Sequence, residues 1–117
     1  MKTRTLVSIL ILVLVVLIIS NCETTSKMLI RSAESGDYAE VIKLIEQGAD
    51  VNEHGWDGYT ALMVASYKGH TEVARLLIEQ GVDVNAQDKR GRTALEWASR
   101  YRHKEIVKLL KEAGAKE

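Results

Sequence analysis

Apolar residues are distributed in two different ways along this chain. From Leu6 to Ile19 every position is apolar except Ser8. From about residue 29 onward, apolar residues recur at helical spacing within short stretches that end at glycines. The stretch 71–79, for example, places its apolar residues on one side of a helix, and Gly81 follows it, as suits a residue that tolerates left-handed geometry. The pattern predicts an apolar leader followed by several short amphipathic helices.

Two segments of the chain match each other at a fixed offset. Residues 58–62 and 91–95 share glycine, threonine, alanine and leucine, and they lie 33 residues apart. The same offset relates four further pairs, which are Ala65 and Ala98, His70 and His103, Leu77 and Leu110, and Gly81 and Gly114. A repeat of this length indicates a solenoid, in which neighbouring units bury each other's apolar faces. Such folds present extended surfaces to partners.

The repeated positions resemble ankyrin repeats. The motifs that carry the resemblance in one unit are Gly58-Tyr59-Thr60-Ala61-Leu62, Ala65-Ser66, Gly69-His70, Val73 to Ile78 and Gly81-Val82-Asp83-Val84-Asn85, and the next unit repeats them from Gly91 to Gly114-Ala115. The resemblance implies an all-α fold, a short ankyrin-repeat solenoid of about three helix-turn-helix units with hairpin tips. It covers residues 27–117, with units at about 27–55, 56–88 and 89–117.

Equivalent positions also predict local structure. Thr60 and Thr93 precede helices and are expected to cap them through their hydroxyls. His70 and His103 recur at one repeat position, which favours a structural contact over a metal site. Arg102 stands where the preceding unit has Gly69, so a positive φ there would cost about 1 kcal/mol.

The leader carries features of an export signal. Lys2 and Arg4 precede the apolar run, and Ile19-Ser20-Asn21-Cys22 follows it. A basic start, a short apolar run and a small-residue exit are typical of secretory signals. The exit resembles the bacterial lipoprotein box, which implies lipid attachment at Cys22 and a membrane-anchored protein of the bacterial cell envelope that faces outside the cytoplasm. We therefore predict a signal peptide or membrane anchor over 1–21 and a polar tether over 22–26, with an uncleaved anchor as the alternative.

Charge and candidate chemistry argue against catalysis. The formal net charge is zero, yet residues 23–88 carry twelve acidic and five basic residues, and residues 89–117 carry nine basic and four acidic residues. With a single cysteine and three histidines, a structural zinc site is not expected. The chain contains neither a phosphate-binding Gly-rich loop nor a nucleophile elbow. We expect no catalytic residue, no cofactor and no metal.

The resemblance to ankyrin repeats implies a protein partner held by the hairpin tips and the concave helix face. The residues assigned to that surface are Trp56, Tyr59, Tyr67, Arg90, Arg92, Trp97, Arg100 and Tyr101. The basic last unit favours an acidic protein partner, whereas the acidic first part would repel nucleic acid. The expected function is a monomeric, membrane-tethered interaction module, and a dedicated inhibitor or immunity protein for one enzyme or toxin is the alternative.

Overall fold

Helices account for all the regular secondary structure in the part of the chain that the structure describes. The computed structural model covers Lys2 to Glu117, without the side chains of residues 2–3 and 18–23. The α-helices are α1 (Lys2–Ser35), α2 (Tyr38–Glu46), α3 (Ala61–Lys68), α4 (Thr71–Glu79), α5 (Ala94–Arg100) and α6 (Lys104–Glu112), and a 3₁₀ turn spans Trp56–Gly58. The predicted all-α solenoid is confirmed.

The helices form two rows. The end of α1 packs against α3, and α3 packs against α5, which gives an inner row; α2, α4 and α6 form the outer row. Each inner helix also contacts the outer helix that follows it. The core lies between the rows, and its fully buried side chains include Leu29, Leu62, Leu77, Ile106 and Leu110. No single helix could bury its apolar face without the neighbouring units.

The predicted caps are present. The hydroxyl of Thr60 accepts a hydrogen bond from the Met63 amide at 3.3 Å, and Thr93 does the same for the Glu96 amide at 3.3 Å. These bonds satisfy amides that the first turn of a helix leaves without an intrahelical partner. Helices α3 and α5 therefore begin directly after Thr60 and Thr93, as the repeat pattern predicted.

Side chains at equivalent positions hold each unit to its neighbour. His70 Nε2 lies 3.0 Å from the carbonyl oxygen of Glu34, and His103 Nε2 lies 3.1 Å from that of Tyr67. At the opposite turn, the Asn52 side-chain oxygen accepts the Asp83 amide at 2.7 Å. Each of the two repeated histidines thus makes a structural contact with a carbonyl oxygen of the preceding unit, as predicted.

The junction between the leader and the first unit differs from the expected polar tether. Helix α1 runs without a break through residues 22–26. Ser26 is 2 % exposed, and its hydroxyl accepts the Asp50 amide at 2.8 Å. Asp50 lies 33 residues before Asp83, so Ser26 performs for the first unit the task that Asn52 performs for the second. Ser26 is therefore part of the packed first unit.

The beginning of α1 projects from the solenoid. Its eleven described large apolar side chains between Leu6 and Leu17 are each 45–65 % exposed. The molecule measures 65 × 29 × 21 Å along its principal axes. Among the residues whose structure is described, no helix combines the length and apolar character needed to cross a bilayer. The side chain of Cys22, the predicted lipid attachment site, lies outside the described residues.

Candidate partner-binding groove

A groove of about 920 Å³ lies between the inner helices and the hairpin tips. It is lined by Lys27, Ile30, Arg31, Glu34, His54, Gly55, Trp56, Tyr59, Met63, Val64, Tyr67, Lys89, Trp97 and Tyr101. These lining residues, which we call the groove wall, include residues of all three inner helices, α1, α3 and α5. The volume of the groove lies within the range of ligand-binding clefts. The groove lies on the side formed by the inner helices and hairpin tips, where the resemblance to ankyrin repeats implies partner binding.

Four aromatic side chains, Tyr59, Tyr67, Trp97 and Tyr101, form what we call the aromatic cluster. The Trp97 ring meets Tyr59 and Tyr67 edge to face, with centroids 5.8 and 5.6 Å apart, and stacks near Tyr101 at 6.1 Å. Tyr67 and Tyr101 are 4.6 Å apart in a T-shaped pair. Such pairs contribute about 0.5–1.5 kcal/mol each beyond buried area. Because the rings hold one another, the wall of the groove is preorganised.

The members of the aromatic cluster differ in their exposure to solvent. Trp97 is 9 % exposed, whereas Tyr67 and Tyr101 are 37 % and 46 % exposed. Trp97 occupies the repeat position that Val64 occupies in the preceding unit, so an indole replaces an aliphatic side chain there. The indole of Trp97, on α5, contacts the rings of Tyr67 and Tyr101, the two more exposed tyrosines.

Arg92 is held within the protein by a buried carboxylate. The Asp88 side chain is 1 % exposed, and its Oδ2 accepts the Arg92 Nε–H at 3.0 Å. Its Oδ1 accepts the backbone amides of Arg90 and Arg92 at 2.9 and 3.0 Å. The guanidinium also donates to the Tyr59 hydroxyl at 3.2 Å and lies 4.1 Å from the centre of the Trp97 ring. Arg92 therefore contacts two members of the aromatic cluster, Tyr59 and Trp97, without lining the groove.

The pKa of Asp88 reflects this setting. Burial by itself would raise the pKa of the carboxyl. The hydrogen bonds from the Arg92 and Arg90 amides, together with the Arg92 guanidinium, outweigh burial and hold the pKa below its ordinary value of 3.8. Asp88 is thus ionised at neutral pH and forms a half-buried ion pair.

Five of the eight predicted surface residues come together in the groove, namely Trp56, Tyr59, Tyr67, Trp97 and Tyr101. The three arginines do not line it. Arg90 is exposed on the neighbouring hairpin tip, and Arg100 lines a smaller depression with Arg92 and Glu96. The arginines were assigned from their positions in the ankyrin-like repeat, and a repeat position does not by itself show which way a long side chain points.

The first unit supplies groove residues that the sequence reasoning missed. Ile30, Arg31 and Glu34 line the wall. They lie one repeat before Met63, Val64 and Tyr67, which line it as well. The 33-residue offset could have identified them, because equivalent positions of stacked inner helices face the same way.

The residues described for the groove combine aromatic and charged side chains. Within the described part of the chain, no three residues among histidine, cysteine, aspartate and glutamate are placed to hold a metal ion. The charged side chains that line the groove are the basic Lys27, Arg31 and Lys89 and the acidic Glu34. The wall thus combines aromatic area with a surplus of positive charge.

Comparison with known proteins places the chain in a family. No curated protein matches it. A family model described as ankyrin repeats, in three copies, matches residues 15–117, which is most of the chain. The number of copies agrees with the three pairs of inner and outer helices. The chain therefore belongs to the ankyrin-repeat family.

Proposed function

We propose that this protein is a non-catalytic module that binds a protein segment in its groove while tethered to a membrane. Ankyrin repeats are generally protein–protein interaction modules. The observation that carries the proposal is the aromatic cluster, since Tyr67 and Tyr101 present preorganised rings to solvent on the concave face. Aromatic side chains held in this way are the type that dominates interface energetics.

The charges of the groove specify the partner further. Lys27, Arg31 and Lys89 outnumber Glu34 among the lining residues, which also include the apolar Ile30 and Met63. A segment with acidic residues on either side of an apolar or aromatic residue would place each chemical group opposite its complement. Opposite charges across an interface raise association rates and select the register of the segment. The proposed partner is therefore an acidic protein segment with an apolar anchor.

Replacing Tyr101 with alanine is expected to weaken partner binding about tenfold, or about 1.4 kcal/mol, because the substitution removes an exposed ring of the aromatic cluster. Tyr38→Ala is the matched control, since Tyr38 on α2 is 44 % exposed and Tyr101 is 46 % exposed. The partner is first captured on the immobilised chain and identified by mass spectrometry. Titration calorimetry with the purified partner then gives the affinity of each variant. Equal affinities for the two variants would contradict the groove assignment.

Membrane attachment rests on the leader. The apolar side chains from Leu6 to Leu17 are exposed along the start of α1, and exposed apolar surface of this extent marks contact with a membrane or a partner. We infer that the leader directs the chain to the membrane of a bacterial cell envelope and that lipid on Cys22 holds it there, outside the cytoplasm. Two acyl chains provide stable anchoring where one gives only reversible binding.

Lipid attachment at Cys22 predicts that radiolabelled fatty acid enters the expressed chain and that Cys22→Ala abolishes the labelling, because no other cysteine is available. Labelled protein is measured after gel electrophoresis, and Ser20→Ala serves as the control because it leaves the cysteine in place. Label that persisted in Cys22→Ala would refute lipid attachment at this residue. The groove assignment would be unaffected by that result.

A further inference from the structure

Trp56 is the most exposed large apolar residue among those described, at 93 %. It lies at the hairpin tip formed by the 3₁₀ turn Trp56–Gly58, within which Asp57 adopts a positive φ of 58°. Although Trp56 borders the groove, its ring takes part in none of the ring contacts of the aromatic cluster. The groove therefore does not account for a tryptophan this open to solvent.

The direction of α1 relates this tip to the leader. Ala61, the first residue of α3, corresponds by the 33-residue offset to Met28 in α1. The inner helices pack side by side and run in the same direction, because they belong to successive stacked units. The Trp56 tip immediately precedes α3, so it lies at the end of the inner row from which α1 continues toward its start. The groove wall brings Lys27 of α1 and Trp56 together, which agrees with this placement.

The distance along α1 is short. Lys27 lies five positions after Cys22 in the helix, which corresponds to about 8 Å of rise. A bilayer that held the chain at Cys22 or through the preceding apolar run would therefore lie within about two helical turns of the level of Lys27. The hairpin tips at this end of the solenoid would face that bilayer.

The chemistry of this end suits a membrane surface. The neighbouring tip is joined to the Trp56 tip by a hydrogen bond from the Lys89 amide to the Asp57 carbonyl at 2.9 Å. The basic residues that line the groove with Trp56 or lie on the neighbouring tip are Lys27, Arg31, Lys89 and Arg90. They outnumber the acidic residues, which are Glu34 in the groove and Glu53 and Asp57 next to Trp56 in the sequence. Tryptophan is enriched at the level of lipid headgroups, and basic side chains are attracted to anionic lipids.

We propose that the hairpin tip at Trp56 docks on an anionic bilayer surface, with the indole at headgroup level and Lys89 and Arg90 beside it. The inference rests on the membrane attachment proposed above and adds a second contact to it. An anchor at one point leaves a domain free to rotate, whereas two contacts set its orientation. Docking at this end would hold the groove sideways to the bilayer, open to a partner in the same membrane or beside it.

The test uses the full chain reconstituted with vesicles that contain phosphatidylglycerol, and with matched vesicles whose acyl chains are brominated close to the headgroup. Bromine quenches nearby tryptophan, and the difference between the wild type and Trp56→Phe isolates the emission of Trp56 from that of the buried Trp97. We expect brominated lipid to remove at least half of this emission and aqueous iodide to have little effect. The control is Trp56→Phe combined with Tyr38→Trp, which moves an exposed indole to the outer helix row.

Flotation of the vesicles separates the two proposals. If the chain floats with the vesicles and brominated lipid quenches Trp56 but not the tryptophan at position 38, docking of the tip is supported. If the chain floats and Trp56 stays accessible to iodide, the tip does not dock, while membrane attachment stands. If the chain does not float, attachment fails and docking fails with it. Equal quenching at positions 56 and 38 would also overturn the proposal, because it would show no preferred orientation.

Discussion

Gly69→Ala is expected to lower the free energy of unfolding by about 3 kcal/mol. Gly69 has a φ of +81°, and a Cβ at this position would lie 2.5 Å from Cε1 of His103. The backbone strain alone costs about 1–2 kcal/mol for a residue with a side chain. The displaced imidazole would also lose its hydrogen bond to the Tyr67 carbonyl and the contact between the second and third units. This loss is large for a small domain whose whole stability is about 5–15 kcal/mol.

Gly81→Ala is the matched control for this substitution. Gly81 has a φ of +78°, nearly the same as Gly69, but a Cβ there would meet no atom within 4 Å. We therefore expect a cost of only about 1 kcal/mol, from the backbone alone. Urea unfolding followed by circular dichroism measures both variants. Equal losses of stability would show that the histidine contact contributes nothing.

Gly36, Gly69 and Arg102 occupy equivalent positions of the three units. Arg102 has a φ of 60°. The sequence comparison predicted a cost if this position required a positive φ, and the structure confirms the positive φ. Gly36 and Gly69 are each covered by a histidine ring of the following unit. Arg102 is exposed, so its side chain extends into solvent and the cost at this position is the backbone strain.

Asp88→Ala is expected to destabilise the fold by about 3 kcal/mol. The substitution leaves the amides of Arg90 and Arg92 without their acceptor and the Arg92 guanidinium without its counter-ion. Removing one partner of a buried ion pair costs about 3–5 kcal/mol, because the remaining charge is uncompensated. Arg92 is 20 % exposed in its side chain, which places the expected loss at the lower end of that range. Urea unfolding at neutral pH measures it.

The same residue gives a pH dependence with a defined sign. The pKa of Asp88 in the folded protein lies below the ordinary value of 3.8. Its stabilisation is therefore complete above that value and is lost as the pH falls through the lower, folded-state pKa. Asp88→Asn keeps an oxygen for the two amides but removes the charge, so it should cost less than alanine and lose less stability in acid. Parallel acid unfolding curves for the wild type and Asp88→Asn would contradict this assignment.

These two positions connect stability to the proposed binding function. His103 joins α6 to the carbonyl of Tyr67, and Asp88 holds Arg92 against Trp97. Both contacts support rings of the aromatic cluster without facing the groove. Variants at Gly69 and Asp88 should therefore weaken partner binding indirectly, by loosening Tyr67 and Trp97, in addition to lowering stability.

The sequence by itself determined the parts of this protein that repeat. The 33-residue offset predicted the units, the threonine caps and the structural histidines, because stacked units place equivalent residues in equivalent surroundings. Positions that depart from the repeat were harder to interpret. Ser26 belongs to a segment predicted as a tether, and no local pattern shows that the Asp50 amide would meet its hydroxyl.

The tertiary structure alone decided which side chains meet across units. Arg92 was assigned to a charged binding surface, yet its charge is paired with a buried carboxylate and it contacts Tyr59 of the preceding unit. The sequence also does not show that the side chain of Trp97 is buried and that of Trp56 is exposed. Repeat periodicity reports the surroundings that all units share, whereas pairing, burial and direction depend on residues distant in the chain. The location of the groove proposed to bind a partner could therefore be predicted from the sequence, whereas its chemistry became clear only from the folded solenoid.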